Sequence, residues 1–572
     1  MIDIMTTLTT LAQATSVDAI NLSDHVNNLI PELILLIGGT ICLITGLGRE
    51  SGTRKFTAVI AAISLILAIA FIPEFSKLKA GLYEITDLRS FIKLAACGIG
   101  FLLILVSASV PDLLPQTQKA EEAKKFEPGN IYRGEYYAFF LFSIVGLMLT
   151  AGANDLVWLF LALELTSLPT YVMVATAKQN INAQEAAVKY FFLGALSSAI
   201  FLYGFALIYG ATGYTDLAEI KNVIEAQYVA NSGLSGMLLI GLIFSILGFC
   251  FKIAAFPMHY YAADVYQGAS SAVTAFLAFV PKTAGFVALI LILSTVGWNY
   301  GPDQNHLPQV IEMLLWVIAV ITMFLGNVLG MIQTSVKRAL AYSSIAHSGY
   351  IVVGLLAGAP AIAATAIAKY DGDTTLGLAI GDGIAAVMFY LVAYGLATVG
   401  SFAVLAALRK PNGEEIDSYA DIAGLIKQHK VLASILALSV FSLLGMPPLI
   451  GFLGKIYIFG SAYKAGYVWL VIIAVVNSAI SGAYYLRIAN AAFFGKPAEG
   501  ITYTKTPGRI AGALIGGVAC LVLGLAGGFL VDTAGRAADQ LPTEIKINDE
   551  QTAAYAPSLM TDTKGFSEIV TD

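Results

Sequence analysis

The sequence predicts an all-α polytopic membrane protein: about fourteen transmembrane helices, two inverted five-helix repeats and two broken helices. Three observations carry this. The 572-residue chain is 58% hydrophobic and only 12% charged, with a mean hydropathy of +0.78. A soluble protein carries about 25% charged residues. Apolar stretches of ~17–25 residues, long enough to cross a bilayer as helices, recur along almost the whole chain. Two of them are interrupted by proline next to lysine, about two hundred residues apart, at KIAAFPMH (252–259) and GMPPLIGFLGK (445–455). Proline removes a backbone hydrogen bond. Non-helical backbone at membrane depth is tolerated where it is buried in protein or lines a cavity. Paired interruptions in two halves are the sequence mark of inverted repeats around an ion site.

In order, the spans fall near 29–47, 55–73, 91–110, 135–151, 155–177, 184–210, 234–258, 269–294, 309–332, 338–358, 378–408, 430–463, 466–491 and 508–531, with 430–463 taken as one broken crossing. Residues 1–28 read as an outer-face segment with no positive region followed by an apolar run, so no cleavable signal peptide is expected. Residues 29–134 hold three helices and a polar loop. Residues 135–294 and 309–491 are five spans each, one per repeat; 508–531 is the last span and 532–572 a polar, acidic outer tail. Lysine and arginine concentrate in alternate loops, at Arg49, Arg54 and Lys55, at Lys119 to Arg133, at Lys178, at Lys337 and Arg338, at Arg409 to Lys430 and at Arg487 to Arg509. These loops belong on the cytoplasmic side, which puts both termini on the outer face. The loop at 74–93 is the exception, with Lys77, Lys79, Arg89 and Lys93 among acids. The stretch GYTDLAEIKNVIEA reads as an acid-rich outer loop.

Charges inside the spans are the candidate machinery. Glu164 lies mid-span in LVWLFLALELTSLPTYVMVA. A carboxylate at that depth costs on the order of 3 kcal/mol or more, faces protein or water, and needs a partner. Lys252, Lys282 and Lys455 are the partners the sequence offers. One acid and several lysines at membrane depth is what a proton path requires. Each lysine could instead snorkel to the interface, and Glu164 could be satisfied by the Thr166 or Ser167 hydroxyl. Lys189 follows Glu185 by four residues, the spacing of an ordinary helical ion pair. His347, inside AYSSIAHSGYIVVG, suits a proton relay or a structural hydrogen bond; His259 follows the first break and suits an entrance. Asp155 and Asp264 read as capping or loop residues. Cys42, Cys97, Cys250 and Cys520 lie far apart in apolar runs, so neither zinc nor an iron–sulfur cluster is suggested.

LVWLFLALELTSLPTY, AVKYFFLGALSSAIFLYGFALIYGATG, FKIAAFPMH with DVYQG, KRALAYSSIAHSGY and GMPPLIGFLGKIYIF together resemble the antiporter-like membrane subunits of respiratory complex I, over roughly residues 135–491. The resemblance is to the N-type branch: the M-type branch has glutamate where this chain has Lys455, and the L-type branch continues into a long lateral helix. It implies fourteen helices in two inverted five-helix repeats. It implies that Glu164, Lys252, Lys282 and Lys455 translocate protons, with Lys189 and His347 near the polar axis. The run PMHYYAADVYQGAS departs from the family pattern at Tyr261, Ala263 and Ser270, where tryptophan and two prolines are usual.

The expectation is then a proton-translocating subunit of the membrane arm of an NADH:quinone oxidoreductase, in a bacterial inner membrane. No G-x-G-x-x-G follows a strand and no cysteine cluster occurs, so this chain is expected to hold no cofactor and no metal. NADH, FMN, iron–sulfur clusters and quinone are expected in partner subunits. Partners are other membrane-arm subunits and the lipid bilayer, not nucleic acid. The rival readings are a subunit of a multisubunit cation/proton antiporter or of a membrane-bound hydrogenase.

Overall fold

The computed structural model describes residues 28–47, 51–72, 78–80, 83–85, 87–107, 132–176, 181–231, 233–300, 306–358, 382–411, 414–503 and 506–538. Residues 1–27, most of the 111–134 insertion, Lys178 and the tail beyond 538 lie outside them. Nineteen helices and four short strands occur among the described residues. In chain order these are α1 Ile30–Gly46, α2 Ser51–Ala70, β1 Leu78–Ala80, β2 Tyr83–Ile85, α3 Asp87–Ser107, α4 Tyr132–Ala151, α5 Leu156–Thr176 and α6 Ile181–Thr212. Then come α7 Leu217–Asn231, α8 Gly236–Lys252, α9 Tyr261–Gly268, α10 Ser271–Val296, α11 Gln309–Met331, α12 Val336–Ala357 and α13 Gly383–Ala407. The chain continues with β3 Leu408–Arg409, α14 Leu425–Gln428, α15 Lys430–Leu444, α16 Ile450–Lys464, α17 Val468–Phe494, β4 Thr502–Tyr503, α18 Pro507–Ala526 and α19 Gly528–Ala538. Ten helices are long and apolar enough to cross a membrane; α1, α8, α15 and the 56–70 part of α2 are shorter apolar helices.

Side-chain caps start the helices that matter most. Ser235 accepts from the Leu238 amide at α8, Ser270 from Val273 at α10, Ser335 from Arg338 at α12 and Asp382 from Ala385 at α13. Each satisfies an otherwise orphaned first-turn donor. Asp155 caps α5 through the Val157 and Trp158 amides, as expected of it. Helices α10, α12 and α13 are buried along nearly their whole length, whereas α6, α17 and α18 present wide apolar faces outward. The central three therefore have no lipid face and can carry polar groups, provided those groups satisfy one another.

Three expectations need correction. The stretch expected as an outer loop forms α7, started by Asp216 on the Ala218 and Glu219 amides and carrying a Lys221–Glu225 pair at 3.7 Å. Acids near a helix start are stabilising, so its acidity was a helix signal. Arg89 and Lys93 are not loop charges. They lie in α3, buried against Glu32 of α1, with Lys93 Nζ 2.8 Å from Glu32 Oε2 and both cations donating to the Asn28 carbonyl. The last span does not give way to tail at 532: α18 ends at Ala526 and α19 continues to Ala538.

Both predicted breaks occur, and they end their helices alike. At the first, Ala254 adopts φ 54°, the only non-glycine residue with positive φ among the described residues. The next amide, of Ala255, returns to the Cys250 carbonyl. At the second, Gly445 adopts φ 87°, and the next amide, of Met446, returns to the Phe441 carbonyl. In each case a left-handed residue closes the helix with a bond from the amide five residues on. Glycine is required at 445: a Cβ would lie 2.9 Å from Lys455 Cδ, in a conformation other residues rarely adopt.

Candidate functional site

The four charged residues singled out in the spans line up in three clusters. At the first, α8 ends on Lys252, whose Nζ is 3.1 Å from Glu164 Oε1 of α5. Lys252 also donates to Ser167 Oγ at 2.6 Å, and its Nζ sits 5.6 Å from the centre of the Phe201 ring. Glu164 is satisfied not by the hydroxyls of its own helix but by Ser198 of α6, which donates at 2.5 Å. Thr166 and Ser167 donate to carbonyls one turn back. The lysine side chain is 2% exposed and the glutamate 18%, so the pair is closed on the lysine side and open on the acid side. Gly285 of α10 admits the lysine stem, since a Cβ there would lie 2.8 Å from Lys252 Cβ.

At the centre, Lys282 of α10 has no carboxylate partner among the described residues. Its Nζ donates to the Ser344 carbonyl at 2.6 Å, to Ser344 Oγ at 2.6 Å and to Ser348 Oγ at 2.8 Å, and lies 5.1 Å from the Tyr394 ring centre. An ammonium has three protons to donate, and all three are placed. Ser348 in turn donates to the Ile253 carbonyl in the first break. Helix α12 carries a second polar face one residue round. On it, His347 meets the Tyr390 hydroxyl through Nδ1 at 2.6 Å and the Tyr485 hydroxyl through Nε2 at 2.9 Å, and Tyr485 meets Ser343. Successive residues on a helix point about 100° apart, so 344 and 348 turn to α10 while 343 and 347 turn to α17. Helix α13 spans both faces: Tyr394 donates to Ser344 Oγ at 2.8 Å, and Tyr390, one turn away, meets His347. His347 thus lies between Lys282 and Lys455, within electrostatic reach of both.

At the third cluster, Lys455 of α16 donates to the Leu444 carbonyl at 2.7 Å and to Ser478 Oγ at 2.9 Å, with Nζ 5.0 Å from the Tyr350 ring centre. Tyr350 accepts from Asn327, which bonds Tyr484 and Asn477. Leu444 immediately precedes left-handed Gly445, as Ile253 precedes left-handed Ala254. The carbonyl at the same place in each break is therefore met by the polar row, once by Lys455 and once by Ser348. The carbonyl end of a helix is its negative pole, so these lysines meet negative potential without an acid.

Lys189 stands apart from this row. It is 42% exposed and bonds Glu185 and Asp264, each at 2.8 Å. Asp264 is more than a cap: it also accepts from Arg338 at 2.7 Å, joining α6, α9 and α12. His259 packs near Phe256 and Tyr260, and its Nδ1 has no hydrogen-bond partner among the described residues. Reading the sequence missed Ser344, Ser348, Tyr390, Tyr394 and Tyr485. The signal was available: hydroxyls at 343, 344 and 348 surround His347 at helical spacing. All four cysteines are buried and unpaired. Among the described residues no three histidine, cysteine or carboxylate side chains gather as a metal site would need. What this arrangement can do is hold and pass protons between lysines, hydroxyls and an imidazole.

The family described as "NADH:quinone oxidoreductase/Mrp antiporter, TM" matches residues 153–370 and 372–481, which include every residue of the row. NADH-quinone oxidoreductase subunit N of Trichlorobacter lovleyi is 36% identical over 476 residues, 83% of this chain and 88% of the relative. The subunit N of Rhodospirillum rubrum is 34% identical over 519 residues, 90% of this chain and 96% of the relative. A chain of respiratory complex I from Thermus thermophilus superposes with a TM-score of 0.68 at 28% identity, covering 88% of this chain and 99% of the other.

Proposed function

Because the chain belongs to the NADH:quinone oxidoreductase/Mrp antiporter family of membrane subunits, we propose that it translocates protons in the membrane arm of an NADH:quinone oxidoreductase, along the row Glu164, Lys252, Lys282, His347 and Lys455. It works beside other membrane-arm subunits, as its relatives do in respiratory complex I. The observation that carries the assignment of the row is its composition: three buried lysines and one acid, each lysine met by hydroxyls or a helix-end carbonyl, joined by His347 and tyrosine hydroxyls. The family spans redox complexes and antiporters alike; the relatives at 32–36% identity carry the subunit N name, which favours the redox-driven complex over the antiporter and hydrogenase readings. Electron transfer from NADH to quinone, with FMN and iron–sulfur clusters, belongs to the partner subunits.

The ten long and four shorter apolar helices, with α15 and α16 as one broken crossing, support fourteen crossings. The matched ends of α8 and α15 support two inverted repeats. Alternating positive loops put both termini on the outer face of a bacterial inner membrane. A cysteine introduced in the 119–133 loop is then labelled by an impermeant maleimide only from the cytoplasmic side, and one in the tail beyond 538 only from the outer side. Labelling from the opposite sides would reverse every direction assigned along the row.

Lys455 is the outward end. Lys455→Met keeps bulk and removes the charge that the Leu444 carbonyl and Ser478 hold. In assembled complex reconstituted in vesicles, proton pumping per NADH falls, while NADH oxidation with an artificial acceptor at the peripheral arm stays at the wild-type rate. Unchanged pumping would remove Lys455 from the path, and Lys282→Met under the same assay tests the middle of the row.

A further inference from the structure

Ser348 occupies a place that chemistry cannot leave neutral. Its hydroxyl oxygen accepts from Lys282 Nζ at 2.8 Å, and its single proton goes to the Ile253 carbonyl. That carbonyl is the last of α8 before left-handed Ala254, one residue after Lys252. A hydroxyl has one proton to give. While Lys282 is an ammonium, its three protons fill the Ser344 carbonyl, Ser344 Oγ and Ser348 Oγ, and the Ser348 proton is committed to the break. When Lys282 gives a proton up, its nitrogen keeps two N–H groups and gains a lone pair. The two N–H groups remain on Ser344, whose own oxygen already receives Tyr394. The lone pair then faces Ser348, which can turn its proton to the amine or keep it on the carbonyl, but cannot do both.

We propose that Ser348 is a positioning residue that ties the closing of the first broken helix to the proton on Lys282. With Lys282 charged, the Ile253 carbonyl is capped and the α8 end that carries Lys252 is held; with Lys282 neutral, that cap is released. The second break has no such intermediary, because Lys455 bonds the equivalent Leu444 carbonyl itself. A vacant Lys282 thereby loosens the seat of Lys252, the group that stands next to it in the row, and a filled one tightens it. The titratable groups that face Lys282 are Tyr394 from α13, Tyr266 from α9 by way of Ser344, His347 from α12 and Lys252 from α8. The remaining backbone anchor of the break, the Phe256 amide on Thr322 of α11, carries no titratable group. The inference rests on Lys282 exchanging protons as proposed above.

The test reads the break directly. Met258, half-buried in the break, is replaced by cysteine in the assembled complex, and its modification by N-ethylmaleimide is followed by mass spectrometry of this chain between pH 6 and 10. A cysteine replacing exposed Glu499 is the reference that cancels thiol ionisation; the four native cysteines are buried. The rate ratio is expected to rise about fivefold as pH increases, the factor that one lost hydrogen bond supplies. In Ser348→Ala the ratio is high throughout and flat; Ser348→Thr, which keeps the hydroxyl, restores the rise; Lys282→Met, which cannot titrate, is flat. A flat ratio in the wild-type background, or an undiminished rise in Ser348→Ala, overturns the proposal. If Ser348→Ala does not assemble, the wild-type background against Lys282→Met decides it alone: an equal rise in both overturns it. Full pumping by Lys282→Met would instead overturn the proton-path reading, an outcome separate from a flat ratio with pumping lost.

Discussion

Glu164→Gln is expected to impair coupled quinone reduction about as strongly as Lys252→Met, and the double variant to be little worse than either. At 3.1 Å and an effective dielectric of ~20, two unit charges attract by about 5 kcal/mol. Much of that is spent on keeping the lysine out of water, so the pair has a small net energy and a large dependence on geometry. With the carboxylate in place, the ammonium form of Lys252 is favoured; with the carboxylate drawn away, Lys252 is left with Ser167 and the Phe201 ring. The structure supplies a route for drawing it away. Glu164 is the more exposed partner and is held on its other side by a hydroxyl, Ser198, which costs little to leave. A charge arriving from a neighbouring subunit would then move the acid and release the proton toward Lys282. Glutamine keeps the size and the Ser198 bond but cannot follow a charge. Coupling between sites is reciprocal, so each single variant removes the same interaction and the double cycle is far from additive. The assay is quinone reduction and proton uptake by purified, fully assembled variants. Full coupled activity in Glu164→Gln would make the pair structural and leave the row without its trigger.

The parts of this site that could be read in the sequence are the ones that are expensive. A glutamate or lysine in a twenty-residue apolar run is an anomaly that only function or a buried partner supports, which is why Glu164, Lys252, Lys282 and Lys455 stood out. The proline breaks stood out for the same reason. Serines and tyrosines cost little in a helix, because hydroxyls can bond a carbonyl one turn back. Ser344, Ser348 and Tyr485 therefore carried no visible excess, although they decide which way Lys282 and His347 connect. Lys189 was legible as an i,i+4 pair with Glu185, but Asp264 as its second partner lies 75 residues away, and nothing local announces such a contact. Glu32, in the first turn of its helix, looked like an end-of-span acid; its burial against Lys93 and Arg89 depends on how α1 and α3 pack.

The largest stability effect is expected from a pair the sequence hid entirely. Glu415 sits in the loop after β3, in a stretch whose charges look like ordinary solvated loop residues. Its side chain is 4% exposed and 2.6 Å from Lys337 Nζ, itself 1% exposed, in the first turn of α12. The same carboxylate accepts from the Ser271 amide and hydroxyl at the start of α10, and Arg409 approaches at 3.8 Å. One acid thus fastens the first turns of the two helices that carry Lys282 and its ligands. Glu415→Gln keeps an acceptor for Ser271 and removes only the charge. It leaves Lys337 buried without its counter-charge, which costs roughly 3–5 kcal/mol. The expected outcome is a complex that assembles poorly or loses this subunit at a markedly lower temperature in detergent. Lys337→Met alone strands the carboxylate and is similarly harmful. Glu415→Gln with Lys337→Met leaves no pair to break and recovers a large part of the loss, since neutral replacements of a buried ion pair are often tolerated. The variants that do assemble keep their protons pumped per NADH, because neither residue lies in the row. Loss of coupling at wild-type thermal stability would contradict this division and would move Glu415 and Lys337 from the scaffold into the path.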